Sequence, residues 1–271
     1  MLLDELADQY RLHLAVLTIA EDVEQISGKA VDVRPTPGLD VRARTRMARA
    51  GMPHHIILFS PKERPHLSHL LAHEFARIVR TFQTPAEERR IPVSTADTLR
   101  CARDEIQPQA QSIPAVSRDK VVDAWIHGLI MQTTSQPVDV RVERWIAGNY
   151  PGLREQQVRS LRTETAVIVA SISPEVKRTT APGIFRRSKT MNYAYLDHIG
   201  EIMGRSFDSH FRDATEVVAL GKRLSDAFED DALSDRDVVA RCAKTLGMED
   251  WFDWAGFEDV PASYRTDWTS P

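Results

Sequence analysis

The sequence predicts an α+β fold that is predominantly helical, with a small mixed unit at the N-terminus and a helical region after it. Two short apolar segments bounded by turn residues, 30–33 and 55–59, are typical of strands. After them, apolar residues recur at helical spacing almost to the C-terminus. A chain of 271 residues can bury one large core or two packed ones, and we predict regions at 1–150 and 151–271. The second region could pack on the first as one unit.

The N-terminal elements follow from periodicity and from turn residues. Residues 4–26 predict one helix, because apolar residues line two of its faces and Ser27-Gly28 ends it. Residues 41–48 fit either a strand or a helix. A helix is predicted over 65–82, where Pro65 is tolerated because the first helical N–H has no acceptor within the helix. Residues 85–92 predict a polar loop.

In the rest of the chain, the spacing of apolar residues predicts helices that are separated by proline and glycine. We place breaks at Pro174, at Pro182-Gly183 and at Gly247. The tail is so aromatic that we expect it to be docked on the protein. The predicted helices cover 95–106, 118–133, 138–147, 151–170, 192–207, 211–228 and 235–246, and the tail carries Trp251, Phe252, Trp254, Phe257, Tyr264 and Trp268.

Composition excludes several classes of protein. No apolar run is long enough to span a membrane and the N-terminus lacks the pattern of a signal peptide, so we expect no membrane partner. Cys101 and Cys242 lie far apart and fit neither a disulfide framework nor a metal motif, which favours a cytoplasmic location. Basic residues are enriched over 141–190, but acids dilute them and no nucleic-acid motif accompanies them. A nucleic-acid partner is therefore not indicated.

The most informative motif is His73-Glu74 within the helix predicted over 65–82. In the motif H-E-x-x-H, two imidazoles one turn apart bind zinc, and the glutamate takes a proton from metal-activated water. Arg77 stands where the second histidine belongs, and a guanidinium stays protonated and cannot bind zinc. His69 lies one turn before His73, so the same helix face offers another imidazole.

A later acidic pair could complete such a site. Asp139 and Glu143 are one helical turn apart and could give one metal ligand and one hydrogen-bond partner for a histidine. Alternatively, both acids pair with arginines at the surface, which the sequence alone favours.

Arg77 leaves three interpretations open, in this order of preference. Zinc is absent, and Arg77 pairs with Glu143 or Asp139 where the metal would lie. Zinc is bound by His69 and His73 with Glu143. Glu74 then follows the second ligand instead of the first, so the sequence does not show whether its carboxylate faces the zinc-bound water. In the third interpretation only His73 remains, which is too little for tight binding of zinc.

The strand at 55–59, the helix reading His73-Glu74-Phe75-Ala76 and the later acidic helix together resemble the zincin metallopeptidases. Within them, the chain looks closest to the ImmA/IrrE-like peptidases of bacteria and mobile elements, whose typical pattern is an edge strand followed by H-E-x-x-H. The resemblance covers residues 1–150 in outline, and Arg77 departs from it. It implies a zincin-like fold and a zinc-dependent hydrolase of peptide bonds.

The resemblance also implies roles for residues. His73 would be a zinc ligand, Glu74 the general base, and Glu143 or Asp139 the third ligand. One hypothesis is therefore a metallopeptidase-like protein with a protein or peptide substrate, with His69 completing the ligand set and Arg77 impairing its activity. The other is a catalytically inactive zincin-like pseudoenzyme, a binding or regulatory module with a protein partner, in which Arg77 fills the metal site.

Other histidines give weaker signals. The pair His54-His55 precedes a strand and is more typical of a turn than of a ligand pair. Asp197-His198 resembles an acid–imidazole dyad, but no motif ties a nucleophile to it. We predict that His198 is structural or exposed.

Overall fold

The computed structural model describes residues 3–212 and 214–260. It confirms an α+β fold that is predominantly helical. Among the helices described, none combines the length and the apolar character needed to cross a bilayer. The helices are α1 (Leu3–Tyr10), α2 (Leu14–Ser27), α3 (Leu67–Gln83), α4 (Ala96–Ile106), α5 (Ala115–Asn149), α6 (Arg154–Ser171), α7 (Pro174–Thr179), α8 (Pro182–Met203), α9 (Thr215–Glu229) and α10 (Asp235–Leu246), and the strands are β1 (Ala30–Pro35), β2 (Ala43–Arg46), β3 (His54–Phe59), β4 (Arg90–Val93) and β5 (Asp253–Gly256).

The chain divides into two compact units. Unit 1 contains residues 1–91, 142–160 and 255–271, of which 3–91, 142–160 and 255–260 are described, and unit 2 contains residues 92–141 and 161–254. The predicted division at residue 150 does not follow these units. The reason is that α5 belongs to unit 2 up to Arg141 and to unit 1 from Val142 onward.

Unit 1 contains a three-stranded sheet in the order β1-β3-β2. β3 pairs in parallel with β1 and antiparallel with β2, with Ile57 opposite both Val33 and Thr45. The ambiguous segment 41–48 thus contains a strand, and β2 lies at an edge of the sheet. The strand before α3 is central, whereas the resemblance to zincins implied an edge strand there.

The prediction of one helix over 4–26 is wrong. Arg11 has a left-handed φ of 53°, so the chain turns between α1 and α2. His13 then caps α2, since its Nδ1 accepts the N–H of Ala15. The predicted end of the helix is confirmed, because Gly28 is left-handed and donates its N–H to the carbonyl of Glu24.

The prediction of two helices over 118–133 and 138–147 is also wrong, since α5 runs through both and contains Pro137. Proline removes one N–H donor and costs about 3 kcal/mol inside a helix. The helix continues because apolar residues before and after the proline, such as Ile130 and Val140, lie in the core of unit 2. Tertiary packing therefore outweighs the local cost.

Several predicted boundaries shift, most of them by a few residues, but the helix predicted over 192–207 spans Pro182–Met203. Pro182 begins α8 instead of breaking the chain, because proline suits the first helical turn. The predicted loop over 85–92 ends inside β4, which pairs with β5 in a two-stranded sheet. In contrast, α10 has the predicted bounds, fixed by the capping box of Ser234 and Asp237 and by left-handed Gly247.

The aromatic tail is docked in the part that the structure describes. Trp251, Phe252 and Phe257 are buried. The ring of Phe257 lies 5.6 Å from that of Phe82, edge to face. Tyr264 and Trp268 lie outside the described residues.

Replacing either of two glycines in unit 2 by alanine is expected to change stability in opposite directions. A Cβ on Gly221 of α9 would clash with the ring of buried Tyr193, lying 2.9 Å from its Cγ. A Cβ on Gly128 of α5 would meet no atom within 4 Å. We expect Gly221→Ala to lower the free energy of unfolding by about 1–3 kcal/mol and Gly128→Ala to raise it by about 0.5–1 kcal/mol. Urea unfolding of the two variants measures both, and equal effects would contradict the close packing of α9.

His55 is a fully buried part of unit 1, not a turn residue. Its Nδ1 accepts the N–H of Ala48 at 2.9 Å, so Nε2 carries the proton and faces the Ser27 hydroxyl. Burial, assisted by repulsion from Lys29, lowers the pKa of His55 from 6.5 to about 4. The imidazole is therefore neutral at pH 7.

This pKa predicts a loss of stability in acid. The unfolded chain binds a proton at His55 near pH 6.5, whereas the folded chain does so only near pH 4, so stability falls as the pH is lowered between these values. The expected loss from His55 is about 3 kcal/mol. Urea unfolding at several pH values measures it. In His55→Asn, whose amide oxygen can accept the Ala48 N–H, this part of the pH dependence should disappear, and an unchanged profile would contradict the assignment.

Candidate functional site

Helix α3 carries the histidines of the motif in unit 1. Its apolar face is buried, as the helical spacing predicted, and a short 3-10 helix over Pro61–His66 leads into it. His69 is buried and His73 is half-buried one turn later. The buried apolar residues are Leu67, Leu70, Leu71, Phe75, Ile78, Val79 and Phe82.

The two histidines meet a glutamate from the last turns of α5. The Nε2 atom of His69 lies 2.9 Å from one carboxylate oxygen of Glu143, and the Nδ1 atom of His73 lies 2.7 Å from the other. All three residues belong to unit 1. The structure thus brings together the three residues that the sequence nominated as metal ligands.

Glu143 lies inside the protein, since only 1% of it is exposed. Burial would raise the pKa of Glu143, but the charge of His69 and hydrogen bonds from His69 and His73 outweigh burial and hold that pKa well below its usual range. An ionised carboxylate only accepts hydrogen bonds, so each imidazole nitrogen that faces it donates one.

Gln157 on α6 completes the shell around Glu143. Its fully buried amide donates to the Glu143 carboxylate at 2.8 Å and to the Glu143 backbone carbonyl at 2.9 Å. These bonds fix the carboxylate between the two imidazoles. Gln157 was not predicted from the sequence, because a neutral amide has no ligand spacing of its own.

Two buried atoms of the cluster, Nδ1 of His69 and Oε1 of Gln157, lack a hydrogen-bond partner. His69 donates through Nε2, so its second ring nitrogen, Nδ1, takes no part in the contact with Glu143. This Nδ1 is buried and has no hydrogen-bond partner. A buried polar atom without a partner costs free energy, which is more typical of a site built for function than of a stabilising contact.

Glu74, the expected base, faces the edge strand β2. Its Oε2 accepts a hydrogen bond of 2.7 Å from the Thr45 hydroxyl, and its side chain is largely buried. Thr45 was not nominated from the sequence. The contact ties the carboxylate next to the motif histidine to the strand at the edge of the sheet.

The structure does not decide between the roles predicted for Arg77 and Asp139. Arg77 is half-buried on α3, one turn after His73. Asp139 is half-buried on α5, one turn before Glu143, and it belongs to unit 2. The hypothesis that Arg77 takes the place of the metal therefore stays a prediction.

The residues around Glu143 have the chemistry of a zinc site. Two imidazoles and one carboxylate form a donor set used by catalytic zinc, which keeps a further position for water. Gln157 supplies the outer contact that such a carboxylate needs. The imidazole ring centroids are 6.3 Å apart, so the arrangement is the hydrogen-bonded one, with the carboxylate bonded to both rings.

A second group with ligand chemistry lies in unit 2. His198, Glu201 and Glu229 place one ligand atom each within 4.8 Å of one another and could hold a metal ion. In the searched part of the chain, residues 3–212 and 214–260, no other trio of histidine, cysteine or acidic residues is as compact.

Comparison of the chain with models of protein families, with curated proteins and with solved structures finds no match. A function for this chain is therefore inferred from its own residues.

Proposed function

We propose that unit 1 is a zincin-like unit of a metal-dependent peptide hydrolase, in which His69, His73 and Glu143 hold zinc. One observation carries this proposal: the buried carboxylate of Glu143 bonds two imidazoles that lie one turn apart on α3. The ligand pair then lies one turn earlier than in H-E-x-x-H, so Arg77 is not needed as a ligand. A cytoplasmic location belongs to the same proposal.

Stability alone is a poor reason for this cluster. A buried ion pair rarely stabilises a protein more than apolar residues of the same volume, because desolvation offsets the attraction. Here the cluster also leaves Nδ1 of His69 unpaired. Both points favour a role in binding or chemistry.

The residues have distinct parts in the proposed reaction. Zinc held by these residues would supply the Lewis acid that makes water a nucleophile near neutral pH. Glu74 holds the proton that the attacking water loses, and Thr45 orients it by bonding Oε2. Gln157 keeps the Glu143 carboxylate in one orientation.

The edge strand β2 supports a peptide as the substrate class. β2 pairs with β3 on one side only in the described sheet, and an extended peptide can add to such an edge through backbone hydrogen bonds. Thr45 lies on this strand and contacts Glu74, so a peptide aligned with β2 would pass close to the proposed base.

The test is cleavage of a mixed library of peptides by the full chain supplied with zinc in excess of both candidate metal sites. Mass spectrometry should find cleaved peptides with the wild type, and Glu74→Gln and His69→Ala should each lower the rate at least 100-fold. Glu155→Gln changes an exposed acid of α6 and is the matched control. Intact peptides with a zinc-loaded wild type would contradict the hydrolase.

A second candidate is a catalytically inactive module that binds a regulatory protein. It is favoured by the contact between Glu74 and Thr45, which engages the proposed base in a hydrogen bond within the fold. In this case zinc or Arg77 serves the structure of unit 1 alone. Zinc binding without any cleavage is the outcome that would select it.

A further inference from the structure

Helices α8 and α9 of unit 2 run in parallel, so their C-terminal ends lie together. Near their starts, Arg186 bonds Glu216 at 2.7 Å, and further along Asp197 bonds Ser225 at 2.7 Å. Glu201 lies in the last turn of α8, and Glu229 is the last residue of α9. The C-terminal end of a helix carries partial negative charge, so two glutamates there favour a cation nearby.

Hydrogen bonds fix the tautomer of His198, which lies beside these glutamates. The Ser225 hydroxyl has one proton and donates it to the Asp197 carboxylate, which can only accept. Nε2 of His198 faces the Ser225 hydroxyl at 2.9 Å and the Ser225 carbonyl at 3.1 Å. Both oxygens act as acceptors, so Nε2 carries the proton. In the neutral ring, the lone pair is therefore on Nδ1.

This lone pair is buried and faces the side where Glu201 and Glu229 lie. Only 2% of His198 is exposed, and Nδ1 has no hydrogen-bond partner. Oε1 of Glu229 lies 3.6 Å from it, which is beyond hydrogen-bond distance. A nitrogen lone pair and a carboxylate repel each other unless a proton or a metal ion lies between them. At metal–ligand bonds of about 2.0–2.1 Å, tetrahedral ligand atoms are about 3.3–3.4 Å apart, close to this separation.

The same contacts exclude a serine hydrolase at this place. In a catalytic triad, histidine accepts the serine proton and the acid bonds the other ring nitrogen. Here Asp197 bonds Ser225 directly, and His198 donates to Ser225. Ser225 is also buried. Asp197 and His198 therefore do not activate it as a nucleophile.

We propose that Nδ1 of His198 and the carboxylates of Glu201 and Glu229 bind a divalent transition metal ion. The donation of Nε2–H to a backbone carbonyl is what a metal-binding histidine usually shows. An imidazole in the set favours zinc, copper, iron or nickel over magnesium and calcium. Glu201 and Glu229 are exposed, so water can fill further positions. The metal joins the ends of α8 and α9 and stabilises unit 2.

The test is a zinc titration of the full chain, followed by competition with a chromophoric chelator. The informative variant is Glu201→Gln/Glu229→Gln, because exposed side chains can change without loss of fold. Glu249→Gln/Asp250→Asn removes the same charge from exposed positions elsewhere in unit 2 and is the matched control. We expect the first variant to lose one equivalent of zinc or to weaken one site at least tenfold, and the control to match the wild type.

A separate variant distinguishes this site from the one proposed in unit 1. His69→Ala should leave the affinity of the His198 site unchanged, while Glu201→Gln/Glu229→Gln should leave the unit 1 site unchanged. Zinc should also raise the melting temperature of His69→Ala. It should not raise the melting temperature of the triple variant that combines His69→Ala with Glu201→Gln/Glu229→Gln. If Glu201→Gln/Glu229→Gln binds as much zinc as the wild type and as tightly, the proposal is overturned whatever His69→Ala shows.

Discussion

Glu143→Ala is expected to lower the free energy of unfolding by about 3–5 kcal/mol, the largest effect of any single change considered. The substitution removes the carboxylate that accepts from His69, His73 and Gln157 and leaves the two imidazole donors without that acceptor inside the protein. Urea unfolding of the protein without added metal measures it.

Two controls make this result specific. Glu143→Gln keeps the size and one acceptor oxygen, so we expect a loss between that of alanine and zero. Glu155→Ala removes an exposed acid from α6 and should cost less than about 0.5 kcal/mol. A loss below about 1 kcal/mol for Glu143→Ala would show that the cluster is not a rigid, buried network.

The second large effect separates the interpretations of the motif. If His69 and His73 are the ligands, His69→Ala should weaken zinc binding at unit 1 by on the order of a hundredfold or more. Arg77→His, which restores the sequence H-E-x-x-H, should change the affinity less than threefold. Both are measured by chelator competition with Glu201→Gln/Glu229→Gln already present, so that the site in unit 2 does not contribute.

The opposite pattern would contradict the assignment. A gain of a hundredfold with Arg77→His, together with no loss in His69→Ala, would mean that the metal lies at the standard motif positions. His66→Ala, one turn before His69 on the approach to α3, is the matched control because it also removes an imidazole. It should leave zinc affinity unchanged.

Local signals explain which parts of the fold could be predicted. The bounds of α10 depend on Ser234, Asp237 and Gly247, which act within a few residues, and the sequence located them. Arg11 carries no glycine or asparagine signal for its left-handed turn, so the break between α1 and α2 was missed. Pro137 misled in the other direction, because burial along α5 outweighs its local cost.

The site was predictable to the extent that helical spacing and ligand chemistry are visible in sequence. His69, His73 and Glu143 were nominated on those grounds and lie together. Gln157 and Thr45 were not, because an amide and a hydroxyl have many uses and their roles depend on long-range packing. The order of strands, which makes β3 central, depends on the same long-range contacts.

The central claim is that His69, His73 and Glu143 hold zinc, and elemental analysis tests it most directly. The full chain is purified without chelator or added metal, and zinc per chain is compared between wild type, His69→Ala and Glu155→Gln. We predict that His69→Ala holds one equivalent less than the other two. Equal zinc in all three, or none in the wild type, would contradict the claim.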